Sequence, residues 1–180
     1  MDIGLLLLRL AVGLTLVAHG TQKLFGWFGG PGLNATGQFF TALDFPPGRR
    51  HALMAALGET VSGLAVGLAT PAAAAVVVSV LLVAIVTAHV GKGFFAQNGG
   101  YEYPLVLAAA ALTLAFTGPG SLSIDALVEL ERSGTFWGVA ALLTGLAGGG
   151  TALLEWRKAP VQQTVEIGRA SCRERVYVLV

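Results

Sequence analysis

From Ala72 to Ala88 the chain reads AAAAVVVSVLLVAIVTA, without a charged residue, a glycine or a proline. A helix of about 20 apolar residues crosses the ~30 Å hydrocarbon core of a bilayer. Composition points the same way. Hydrophobic residues make up 54% of the 180 and charged residues 12%, where a soluble domain carries about a quarter charged. Mean hydropathy is +0.73. So few charges cannot coat a globular surface, and no strand alternation is evident. The sequence therefore predicts an all-α integral membrane helical bundle surrounded by lipid.

Other classes fall away. A net charge of +1, with no basic patch interleaved with aromatics, gives no nucleic-acid partner. The single Cys172 makes no internal disulfide, structural zinc site or iron–sulfur cluster, so no metal site and no intrinsic cofactor is expected. The opening MDIGLLLLRLAVGLTLVAHG lacks a basic leader and a small-x-small cleavage site, and reads as a retained first span.

Five spans are expected, at about 3–23, 51–69, 72–89, 103–116 and 135–156, within one transmembrane domain over 1–158. LNATGQFFTAL (Leu33–Leu43) reads as a short interfacial helix, ended by the turn FPPG. Thr70-Pro71 breaks spans two and three into a tight hairpin. Pro104 suits a helix start, and Ser123 suits the N-cap of a short helix from Ile124. Trp137 and Trp156 stand as interfacial anchors. Lys23, Arg49, Arg50, Lys92, Arg157 and Lys158 share one side of this arrangement, and Arg132 stands alone on the other. The positive-inside rule then puts the first loop and C-terminus in the cytoplasm and the N-terminus outside. Residues 159–180 read as a disordered tail. EIGRASCRERV (Glu166–Val176) resembles a translated sequencing adapter, with an ordinary basic tail as the alternative, and carries no function here.

Ionisable groups inside a span are costly and mark function. On a helical wheel at ~100° per residue, Arg9, His19 and Lys23 form one polar stripe on the first span. Glu59, within GETVSGLAVG (Gly58–Gly67), is the acid available to it. Gly63 and Gly67 share its face and permit close helix approach, so a buried Glu59–Arg9 pair is expected. His89, Glu102 and Tyr103 are secondary candidates. Plainer roles stand beside these: Lys23 snorkelling to the interface, His19 as a packing residue, and Arg9–Glu59 as a structural ion pair. No spacing supports His19 and His89 as haem ligands. GWFGGPG lacks the features of a phosphate loop and reads as a tight turn at the membrane surface. The sequon Asn34-Ala-Thr36 is a short, accidental match.

HGTQKLFGWFGGPG, GETVSGLAVGLAT, GFF followed by GYEYPL, and LAFTGPGSLSID occur in that order between Leu5 and Asp125. Together they resemble the DoxX family of small bacterial membrane proteins. The resemblance implies a four-helix core, to which the fifth span is an extension, in the bacterial cytoplasmic (inner) membrane. It also implies association with membrane oxidoreductase complexes. The family name traces to a relative associated with thiosulfate:quinone oxidoreductase, yet no cysteine precedes Cys172 to carry a thiol step. A polar pocket around His19 and Lys23 could hold a quinone head group, a lipid phosphate or a partner's carboxylate. Three functions follow. The first is a subunit of a quinone-linked oxidoreductase complex, with Arg9, His19, Lys23 and Glu59 around the quinone and Tyr101 to Tyr103 at the entrance. The second is a non-enzymatic scaffold binding a redox-enzyme partner or a second copy as a homo-oligomer. The third is a small-molecule or lipid carrier.

Overall fold

A computed structural model of the chain describes residues 2–130 and 132–158. Among them all regular structure is helical. Seven α-helices follow one another: α1 (Asp2–Phe25), α2 (Gly32–Ala42), α3 (Gly48–Ala65), α4 (Thr70–Ala84), α5 (Glu102–Thr117), α6 (Ile124–Leu127) and α7 (Thr135–Lys158). The chain is a helical membrane protein. By length and hydropathy three segments can cross a bilayer: Asp2–Phe25, Thr70–Lys92 and Thr135–Trp156. The apolar α5 is shorter, and α3 is more polar because it opens on Arg49, Arg50 and His51 and carries Glu59.

Lipid inverts the usual rule of apolar inside and polar outside. Leu53, Leu57, Val61 and Leu64 of α3 are exposed, whereas Ala52, Ala56, Glu59, Ser62 and Gly63 are buried. Small inner residues let backbones meet. A Cβ on Gly13 would come within 2.7 Å of the Gly63 carbonyl oxygen, and one on Gly20 within 2.6 Å of the Ala56 carbonyl oxygen. Helix α7 uses the same device against α4, with Gly145 over the Ala75 carbonyl and Gly149 over that of Ser79. The central core is formed by Val12, Leu16, Val77, Leu81, Leu107 and Ala111.

Two corrections concern the α3–α4 hairpin. Helix α3 stops at Ala65, not Ala69, and Gly67 lies in the turn at φ 107° rather than on the Glu59 face. The chain folds back here because glycine tolerates positive φ. Ala69, also left-handed at φ 63°, precedes α4 and offers no side-chain cap. The cap comes from afar. Asp125 Oδ1 accepts from Ala69 N (2.5 Å), and Oδ2 accepts from Thr70 N (3.0 Å) and Thr70 Oγ1 (2.7 Å). A carboxylate at a helix N-terminus satisfies its free N–H groups and complements its dipole. Ser123 caps α6 as expected, its Oγ accepting from Ala126 N.

The bundle has two ends. One gathers the start of α1, the Gly67 turn and the Gly118–Asp125 loop, tied by Ser121 N donating to Asp2 Oδ1. The other gathers the first loop with α2, the start of α3, the loop before α5 and the end of α7. There Trp156 Nε1 donates to the Leu43 carbonyl at 2.6 Å and its ring stacks on Phe45. Trp137 is covered by the Arg132 guanidinium, 5.2 Å from its ring centroid. The tail and its adapter-like segment lie outside the described residues.

Candidate functional site

The first-loop end encloses a cavity of about 400 Å³. Its walls are mostly apolar: Leu16 of α1, Phe39 and Phe40 of α2, Phe45, Met54 of α3, Val80 and Ala84 of α4, and Leu107 of α5. Its polar groups are His19, Lys23, His51, Glu59, Ser79, Thr87, His89 and Tyr103. Helix α1 places His19 and Lys23 one turn apart on the face toward α3 and α5. Helix α1 then ends at Phe25, where Gly26 at φ 74° donates its N–H to the Gln22 carbonyl. With α1 stopped on this glycine, the chain turns back and α2 brings Phe39 and Phe40 to the cavity wall.

Lys23 Nζ donates to Glu59 Oε2 at 2.5 Å, forming an ion pair whose side chains are 24% and 7% exposed. This corrects the expected Glu59–Arg9 pair. A helical wheel gives angle but not depth, and Arg9 lies about 15 Å along the axis from His19 at ~1.5 Å per residue. Arg9 is instead buried at the opposite end, donating from Nη2 to the Leu122 carbonyl at 2.5 Å. The single polar stripe is therefore two separate sites.

His19 Nε2 lies 3.2 Å from Tyr103 Oη, with the rings tilted and their centroids 5.7 Å apart. Tyr103 is thus part of the cluster, while Tyr101 packs on Phe94 outside it. His89 also lines the cavity, with Nδ1 2.7 Å from the Gly99 carbonyl oxygen. It arrives there on a π-helical turn, Ile85–His89, which continues α4 and brings Thr87, Ala88 and His89 to the cavity. Such turns recur at functional sites. Glu102 stays apart, its Oε2 accepting from Ala96 N at 2.9 Å to close the loop before α5. Among the described residues no cluster of three His, Cys, Asp or Glu side chains is placed to hold a metal.

Sequence reading missed His51, the aromatic wall of Phe39, Phe40 and Phe45, and Asp125. For Asp125 a signal existed: Thr70-Pro71 opens a helix that no neighbouring side chain caps. The aromatic wall carried no local signal, because its role depends on how α2 folds back.

Comparison with known proteins places this architecture. A family model described as DoxX matches residues 4–90. The chain is also 32% identical over 129 residues to a protein of Bacillus subtilis (strain 168) named "Putative oxidoreductase CatD", covering 71% of this chain and 88% of that one. The chain belongs to the DoxX family. The DoxX match spans α1 to α4 and so includes His19, Lys23, Glu59 and His89, while Tyr103 lies beyond it. No solved structure matches the chain.

Proposed function

We propose that this DoxX protein is a quinone-binding subunit of a membrane oxidoreductase complex. The observation that carries the reading is an apolar cavity of about 400 Å³ lined by two polar pairs, His19 with Tyr103 and Lys23 with Glu59. A quinone needs that combination: an apolar slot for its ring and tail, and donors for its carbonyl oxygens. The name of the Bacillus subtilis relative adds support from a second direction.

The residues divide the work. Lys23 gives one N–H to Glu59 and keeps two for a ring carbonyl. Tyr103 Oη can donate to the same oxygen or to His19. Glu59, buried beside Lys23, would supply the carboxylate that exchanges a proton with a bound quinone. A bound quinone supplies two-electron carrier chemistry, and a partner dehydrogenase of the complex supplies the electrons. The reading sets the chain in the inner membrane, and the Lys/Arg count turns the first-loop end to the cytoplasm.

The test is equilibrium binding of decylubiquinone to the purified chain in mild detergent. Saturable binding is expected, weakened about tenfold or more by Glu59→Gln or Lys23→Ala, the factor a lost charge-assisted hydrogen bond carries. No binding by the wild-type chain, or equal binding by both variants, would sink the reading. A co-purifying partner protein without quinone would instead support the scaffold function.

A further inference from the structure

Arg9 is permanently charged yet only 8% exposed. Among the described residues the ion pair present joins Lys23 to Glu59, and no carboxylate lies within ion-pair distance of Arg9. Asp125 is close in the fold, but its oxygens accept from Ala69 and Thr70. Asp2 accepts from Ser121. Arg9 Nη2 reaches the Leu122 carbonyl, while Nε is buried with no acceptor. A buried guanidinium with an orphan donor is costly in a low-dielectric setting. An oxyanion from outside the chain, seated where Arg9 borders the groove described next, would offset the charge of the guanidinium.

The surroundings indicate which. Arg9 borders a groove of about 250 Å³ along the seam of α1 and α3. Its floor is glycine, because Gly13 and Gly63 meet backbone to backbone. Its sides are Leu10, Leu14 and Leu64, which are 46%, 64% and 69% exposed and so face lipid. The guanidinium reaches the Gly67 turn and the Leu122 carbonyl, at the level of the connecting loops. An apolar trough open to the bilayer, headed by a cation at loop level, has the form of one acyl chain and its phosphate.

We propose that the α1–α3 groove headed by Arg9 binds a membrane phospholipid, with the phosphodiester on the guanidinium and an acyl chain over Gly13 and Gly63. The site is separate from the His19–Lys23–Glu59 cavity and does not depend on its function.

The experiment uses the delipidated full chain in detergent and follows its thermal midpoint against added phosphatidylglycerol, a diacylglycerol of the same chains, or inorganic phosphate. Phosphatidylglycerol is expected to raise the midpoint at concentrations about tenfold or more below those the diacylglycerol needs. Arg9→Gln should abolish that preference. Leu14→Trp, which fills the trough and leaves Arg9 intact, should abolish it too and decides the matter if the Arg9 variant does not fold. Equal responses to the two lipids, or a preference retained in Leu14→Trp, overturn the proposal. A response to inorganic phosphate equal to that of phosphatidylglycerol overturns the lipid and makes the site one for a free oxyanion.

Discussion

The two halves of the Lys23–Glu59 pair differ in how easily they can be left alone. Glu59 is 7% exposed and short, so without Lys23 its charge stays buried. Lys23, at 24% exposed near the end of α1, can swing its ammonium toward the interface. Lys23→Met should therefore destabilise the protein by about 3 kcal/mol and Glu59→Leu by about 1 kcal/mol, with the double variant close to wild type. Chemical unfolding in detergent checks this, and equal costs for the two single variants would count against it. The pairing itself was half legible in the sequence. Glu59 and Lys23 stood out because charges are rare in spans, but the partner of Glu59 could not be read. That choice depends on where two helices cross, and Gly20 against Ala56 sets the crossing close to Lys23.

At the level of elements, periodicity and punctuation placed most helices well. Gly26 and Pro104 marked ends that the structure keeps. Helix α3 ended early because Gly67 serves a turn, a role that spacing alone does not separate from helix packing. The π-helical turn at Ile85–His89 left no trace in an apolar run. The crossing of α1 and α3 yields a direct prediction. Gly20→Ala puts a Cβ onto Thr60 Oγ1 and the Ala56 carbonyl, and overpacking of this kind costs about 1–3 kcal/mol. Gly4→Ala on the same helix meets nothing within 4 Å and should be neutral or slightly stabilising. Thermal melts of the two variants compare them, and similar midpoints would contradict the close approach.

At the level of the whole molecule, basic residues collect at one end. Arg49, Arg50 and Lys92 are exposed at the first-loop end, while exposed Arg132 stands at the other. The cytoplasmic side should therefore hold Lys92, and Glu129 should face outward. In a chain with Cys172→Ser, an impermeant maleimide applied to intact cells should label Glu129→Cys and spare Lys92→Cys until the cells are opened. The opposite pattern would invert the orientation and move the proposed quinone site to the outer face.

The capping of α4 by Asp125 has a bearing on how the protein is made. The start of α4 at Thr70 and the carboxylate that satisfies it are 55 residues apart. At about 5–20 residues per second, synthesis reaches Asp125 roughly 3–11 s after Thr70. Until then the N–H groups of Ala69 and Thr70 lack the acceptor that the finished fold gives them. The fastening of this turn is thus a late event in biogenesis, which follows the synthesis of the hairpin by seconds.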